Sequence, residues 1–250
     1  MNSVEFKELQ EQFADIIIKY DHFSKVGFML DLQYNLQFAD LLDESFRLDK
    51  ENELIQSVLL MVSGGKSNVE IETYIISYKK IYNDEVARMH KKRAKASEIF
   101  KRIKDVTQDQ LDELDEKYAD YIKNHHPSLK LNATDNDVFA YQQLKNLYFE
   151  SNLITFKSML DILSSSKNVE INENEYNKAN VYYNKIIKDI VEDIKNKKDK
   201  YPYNIKHILE NDMTILHEEA ELKYRNDTLK TANEALHKDY INIMHNDVKL

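Results

Sequence analysis

The sequence lacks cysteine and is poor in the residues that build tight turns. Its 250 residues include three glycines, two prolines and no tryptophan. Because hairpins and strand turns depend heavily on glycine, proline and related turn formers, this composition excludes an all-β fold. The absence of cysteine excludes disulfides, thiolate metal sites and cysteine nucleophiles.

Long apolar runs and a secretion signal are also missing. The longest purely aliphatic run, residues 58–62, is far too short to cross a bilayer. Residues 1–12 alternate acidic and apolar side chains and show no basic segment followed by an apolar one. A net charge of −9 disfavours nucleic-acid binding over the whole surface. We therefore expect a cytoplasmic protein without a membrane segment.

What the sequence does contain is helical periodicity, with 42% hydrophobic and 32% charged residues. This pattern predicts an all-α fold, built as an elongated helical or coiled-coil scaffold. A first helix is expected to begin at Ser3 and a second near Ser24, with Gly27 close to their join. A third is expected over residues 50–62, ending at Ser63 and the double glycine of residues 64–65.

Apolar residues recur every three, four or seven positions from Ile71 to Ile103, which predicts a long helix over residues 68–104. A helix of this length needs a long partner, and the best candidate is the region after Val169, with its seam from Tyr176 to Ile194. A final helix is expected to bury a stripe that includes Met213 and Leu216. The serines at 164–166 are expected to form a loop.

The segment between the long helices has a different pattern. Thr107 and Gln110 have the spacing of a capping box, which predicts the start of a helix that must stop before Pro127. Asp135 or Asn136 is then expected to cap a second helix, antiparallel to the first. The chain thus divides into an N-terminal scaffold at 1–104, a hairpin module at 105–163 and C-terminal helices at 164–250.

This hairpin resembles a J domain, the DnaJ-type co-chaperone module. The resemblance is carried by residues that match helix II, the histidine-proline-aspartate loop and helix III: Leu114, Tyr118, Tyr121, His125, His126, Pro127, Ser128, Tyr141, Leu144, Leu147 and Tyr148. The chain as a whole is similar to J-domain-containing coiled-coil proteins of low-GC Gram-positive bacteria, through residues 25–27, the long helix and residues 201–204. The hairpin is therefore expected to enclose Tyr118, Tyr141 and Tyr148.

The resemblance implies a partner of the DnaK type, whose ATP hydrolysis J domains stimulate. It implies partner-binding roles for His126, Pro127, Ser128 and Lys123. However, Ser128 stands where the family has aspartate, which replaces a charged acceptor by a neutral hydroxyl. Lys123 is the one basic residue kept among the four positions of helix II where the family is basic. We therefore expect a co-chaperone or adaptor with impaired stimulation of a DnaK-type ATPase, binding that chaperone or another protein.

The charges of neighbouring segments are opposite. Residues 91–104 carry seven basic side chains against one acid, whereas residues 108–126 carry six acids against two lysines. The basic segment could bind nucleic acid weakly, but it lacks interleaved aromatic residues, and neutralisation against the acidic helix is the favoured interpretation. We therefore do not expect nucleic acid as a partner.

No pattern of residues points to catalysis, a metal or a cofactor. His125 and His126 are adjacent and make a poor metal pair, and Glu221 stands where a zinc-protease helix beginning at His217 would need its second histidine. We expect a non-enzyme. The alternative to an adaptor is a structural coiled-coil protein that self-associates, for example as a homodimer, and keeps the J-like module as a relic.

Overall fold

The computed structural model describes residues 3–130, 133–163 and 176–247, and this part of the chain is all-α, with no strand, as the sequence predicts. Its α-helices are α1 Ser3–Gln37, α2 Ala39–Ser63, α3 Asn68–Lys104, α4 Gln108–His125, α5 Asp135–Phe149, α6 Leu153–Leu163, α7 Tyr176–Lys197 and α8 Asp212–Asp247. Short 3₁₀ segments occur at Pro127–Leu129 and Tyr203–Leu209. No helix of the described residues is both long and apolar enough to span a bilayer.

The helix boundaries agree with the sequence at the double glycine and differ before it. α2 ends at Ser63, Gly65 has a φ of 72°, and α3 spans the predicted residues 68–104. The predicted join near Gly27 is wrong, because α1 continues through it to Gln37. The break instead falls at Phe38, whose buried side chain is 1% exposed. The predicted loop at 164–166 lies outside the described residues.

The chain forms two compact units, each assembled from segments that are distant in sequence. Unit 1 combines Met1–Asp31 with Glu98–Lys206, and unit 2 combines Leu32–Ser97 with His207–Leu250. These units therefore do not follow the consecutive segments 1–104, 105–163 and 164–250. The reason is that helices from the two ends of the chain pair with each other.

In unit 1, α7 runs parallel to α1 through stacked aromatic rings. Phe6 stacks on Tyr176 at 4.2 Å between centroids, and Phe13 stacks on Tyr183 at 4.4 Å. Both pairs of positions are seven residues apart, so the contact repeats every two turns. The prediction that the region after Val169 packs along α3 is wrong, because its aromatic spacing matches α1.

In unit 2, α3 packs antiparallel to α2. The Tyr78 hydroxyl donates to the Lys50 carbonyl oxygen at 3.0 Å, and the ring of Tyr82 stacks against Phe46 at 5.9 Å. α2 is therefore the long neighbour that the apolar seam of α3 requires.

α8 runs parallel to α2 in the same unit and buries a different stripe from the predicted one. Leu222 and Asn226 are 6% and 1% exposed, and the Asn226 amide donates to the Leu41 carbonyl oxygen at 3.0 Å. Met213 and Leu216, predicted to face inward, are 75% and 58% exposed. The buried asparagine fixes the register of the pair, and Met213 and Leu216 lie on a different, exposed face of α8.

Candidate functional site

The candidate site lies in unit 1, where α4 and α5 form an antiparallel hairpin that reverses at Pro127. Thr107 caps α4 in the predicted capping box with Gln110. α4 ends at His125, before the proline, as expected for a residue that removes a backbone donor. α5 is capped by Thr134, paired with Asp137 in a second capping box, rather than by the predicted Asp135 or Asn136.

Aromatic rings fill the space between the two helices. Tyr118 and Tyr148 are 1% and 2% exposed and stack at 4.0 Å with an interplanar angle of 2°. Tyr141 is half-buried. The prediction that the hairpin encloses these rings is thus confirmed for Tyr118 and Tyr148, whereas Tyr141 lies at the edge of the enclosed space. Burial raises the pKa of all three phenols, so they are neutral at ordinary pH.

A buried carboxylate from α1 completes this core, and the sequence patterns did not indicate it. Asp21 is 0% exposed and accepts from the hydroxyls of Tyr118 at 2.7 Å and Tyr141 at 2.8 Å, and from the Lys145 ammonium group. Its place four residues after Ile17, on the buried face of α1, is the signal that could have suggested it. Three donors around one carboxylate tie α1, α4 and α5 together.

A second ion pair with aromatic contact lies beside it. Lys25 pairs with Asp115 at 3.1 Å, and its ammonium group lies 4.0 Å from the centre of the Tyr148 ring. Burial lowers the pKa of Lys25, and the charge of Asp115 opposes that shift. This contact neutralises one of the acids of α4.

The structure places His126 and Pro127 in the interior rather than at the surface. His126 is 6% exposed, its ring meets that of Tyr141 edge-on at 4.5 Å, and its Nδ1 accepts from the Ser128 amide at 3.2 Å. Burial lowers the pKa of His126 to about 4. We call the segment Pro127–Leu129 the corner turn; His126 caps it, and Pro127 and Leu129 are buried.

Ser128 and Lys123 are more accessible than His126 and Pro127. The Ser128 side chain is half-buried, and the Tyr182 hydroxyl of α7 donates to its Oγ at 3.4 Å. Lys123 is half exposed and lies 3.6 Å from Asp15 of α1. The four predicted binding residues therefore cluster at one corner, but two face the core and two face α1 or α7.

A groove of about 450 Å³ opens between the corner turn and α7. Its lining is mainly apolar with two lysines: Pro127, Ser128, Lys130, Ala133, Val138, Lys178, Ala179, Tyr182 and Tyr183. Val138 is 41% and Tyr182 46% exposed, so apolar side chains are open to solvent there. We call this feature the corner groove. Sequence reasoning missed it because α7 lies about fifty residues beyond the turn.

An ion pair lies at the side of the corner groove that Lys130 lines. Lys130 contacts Asp137 at 2.7 Å, and Asp137 also accepts from the Thr134 amide at 2.8 Å. The hydrogen bond from Lys130, together with those from Thr134, lowers the pKa of Asp137 to about 2. The carboxylate is therefore charged throughout the physiological range.

Two arginines of the basic segment 91–104 pair with residues outside α4, whereas the sequence favours pairing with α4. Arg93 pairs with Asp43 of α2, and Arg102 lies 3.6 Å from Glu150. The acid Glu113 of α4 pairs instead with Lys157 of α6. These three charged side chains are thus paired with residues outside the opposite segment, because α3 and α4 each contact helices that lie elsewhere in the sequence.

Within the described residues, no group of three or more histidine and carboxylate side chains is placed to hold a metal ion. The corner groove offers mainly apolar contact, together with Lys178 and the ion-paired Lys130. Compared with known protein families, curated proteins and solved structures, the chain has no match.

Proposed function

We propose that this chain is a non-catalytic protein-interaction protein, a J-domain-like co-chaperone or adaptor that binds its partner at the corner between α4 and α5. The observation that supports this most strongly is the hairpin itself, with its reversal at Pro127 and the stacked pair Tyr118 and Tyr148 inside. These are the features on which the resemblance to a J domain depends.

Two features of the corner argue against ordinary stimulation of a DnaK-type ATPase. Ser128 supplies a neutral hydroxyl, and burial of His126 leaves little of the loop to dock. The outer face of α4 also exposes acidic side chains, namely Asp109, Asp112, Glu116 and Asp120. The resemblance implies an acidic partner surface, and like charges slow the encounter of two proteins.

The test is steady-state ATP hydrolysis by a purified DnaK-type chaperone with and without this chain. We expect a change of less than about twofold at stoichiometric amounts, because the charged acceptor of the loop is absent. Clear stimulation by the native chain would contradict the proposed impairment.

Retention of the same chaperone on immobilised protein tests the binding role. We expect the Ser128→Asp variant to retain more chaperone than the native chain, because it restores a carboxylate beside Pro127. Ser158→Asp, which adds the same charge at an exposed position of α6, is the matched control and should retain no more than the native chain. Equal retention by both variants would remove the support for a J-like corner.

Self-association is the second candidate function, and one observation in unit 2 favours it. Met213, Leu216, Ala220 and Tyr224 follow one face of α8 and are exposed, with Tyr224 at 74%. Exposed apolar side chains at this spacing are typical of a helix that packs on another copy.

If this face binds a second copy, size-exclusion chromatography with light scattering should give the mass of a dimer. Leu216→Lys should then shift the chain to monomer, since it places a charge in the apolar face. Leu60→Lys, at a residue of α2 that is 72% exposed, is the control and should leave the mass unchanged. A native chain that is monomeric at high concentration would exclude this function.

A further inference from the structure

The imidazole of His126 is part of the backbone structure of the corner turn. Its Nδ1 accepts the Ser128 amide at 3.2 Å, while the His126 carbonyl oxygen accepts the Leu129 amide at 2.9 Å. The side chain therefore caps the turn that holds Pro127 and Leu129 in the core.

A proton gained by this ring would go to the atom that makes the cap. Because Nδ1 accepts a hydrogen bond, the neutral ring carries its proton on Nε2, and the second proton must add to Nδ1. Protonated Nδ1 is a donor that faces the Ser128 amide, which is another donor. The charged ring therefore cannot keep the hydrogen bond.

The groups around His126 do little to stabilise a positive charge in this position. From α1, the carboxylate of Asp21 favours the charge, but it is already held by Lys145 of α5, whose ammonium group opposes it. Burial raises the pKa of Tyr141 of α5, so this phenol is neutral in acid, and the hydroxyl of Tyr182 of α7 donates to the neighbouring Ser128 Oγ. Within its own segment, His126 is flanked by two further basic groups, His125 and Lys130. Burial therefore dominates and disfavours the charged ring.

We propose that His126 is a proton-operated latch, by which we mean that protonation of its ring opens the corner turn. Opening exposes Pro127 and Leu129 while the helices of unit 1 remain folded. The turn is three residues long, whereas the stacked pair Phe6 and Tyr176 between α1 and α7 and the stacked tyrosines between α4 and α5 do not include His126. The latch goes beyond the proposed function, and it operates whether or not the corner groove binds a protein.

The sign and size of the effect follow from linkage. The folded pKa is lowered from an ordinary value of 6.5 to about 4, so stability of the closed turn is present above pH 6.5 and is lost as the pH falls toward 4. Between about pH 7 and about pH 4.5 the ratio of open to closed turn should rise on the order of 50-fold.

The absence of cysteine from the sequence gives a direct measurement. Leu129→Cys places a single thiol at a position that is 8% exposed, and its labelling by a disulfide reagent that reacts in acid reports opening of the turn. Leu60→Cys, at an exposed residue, corrects for the intrinsic pH dependence of labelling. We expect the corrected rate of the Leu129→Cys protein to rise at least tenfold between about pH 7 and about pH 4.5, with the helical circular dichroism unchanged.

His126→Asn supplies the matched background, because asparagine can still accept the Ser128 amide but does not titrate. In that background the corrected rate should change less than about twofold over the same range. Equal acid-induced labelling in both backgrounds, or loss of the helical signal together with labelling, would overturn the latch.

A measurement on the native chain covers the case in which His126→Asn fails to fold. The Hε1 resonance of His126 should titrate with a midpoint below about pH 6 in the nuclear magnetic resonance spectrum. A midpoint at the ordinary histidine value of 6.5 would overturn the proposal.

Discussion

Replacing Asp21 with alanine should lower the free energy of unfolding of unit 1 by about 3–5 kcal/mol. The substitution removes the one carboxylate that accepts from Tyr118, Tyr141 and Lys145, and Asp21 itself is 0% exposed. It leaves the buried Tyr118 hydroxyl without its carboxylate acceptor and the ammonium group of Lys145 without its counter-charge. Urea denaturation followed by circular dichroism measures the loss.

Asp15→Ala is the matched control for this substitution. Asp15 is also on α1, but its side chain is 55% exposed and it lies 3.6 Å from Lys123, so its removal should cost less than about 1 kcal/mol. Asp21→Asn should fall between the two, because the amide keeps an oxygen acceptor but loses the charge. Equal stabilities for Asp21→Ala and Asp15→Ala would show that the three-donor network does not hold unit 1 together.

The second large effect on the free energy of unfolding should come from replacing Gly27 with alanine. The sign of this effect should depend on whether Tyr203 is present. A Cβ at Gly27 would lie 2.7 Å from two atoms of the Tyr203 side chain. That ring cannot move freely, because it stacks on Phe23 at 3.9 Å and its hydroxyl donates to the Phe23 carbonyl oxygen at 3.1 Å. Gly27→Ala should therefore destabilise the protein by about 1–3 kcal/mol, as expected for overpacking.

A double-mutant cycle tests this cause directly. In the Tyr203→Ala background the space beside Gly27 is open, and Gly27→Ala should then stabilise α1 by about 1 kcal/mol through helix propensity. The measured quantity is the difference between the two effects of the same substitution. If Gly27→Ala has the same sign in both backgrounds, the close approach of Tyr203 is not the reason for glycine at this position.

The same contact shows why the sequence misplaces the join in α1. A lone glycine in a helical pattern predicts weakness or an end, since glycine is a poor helix former. Here it lies inside a continuous helix because an aromatic ring from a residue 176 positions later occupies the place of its side chain. No local pattern carries that information.

The candidate site likewise has features that the local sequence predicts and features that depend on remote parts of the chain. The capping box at Thr107, the stop before Pro127 and the enclosed tyrosines depend on residues within one hairpin, and the sequence predicts them. Asp21 and the covering helix α7 come from remote parts of the chain. His126 packs against Phe13 of α1 and Tyr141 of α5, and Pro127 lies beside α7, so the predicted binding loop is mostly interior.

By itself the sequence determined the helical class, the long helix over residues 68–104 and the hairpin at Pro127, because helix propensity, caps and breakers act over a few residues. Only the tertiary structure decided which helices pair, since every amphipathic helix here offers a similar apolar period to any neighbour. α7 packs on α1 through stacked aromatic rings, and α8 packs on α2 through the buried Asn226. The residues in these contacts are far apart in the sequence, and local periodicity carries no information about such pairs.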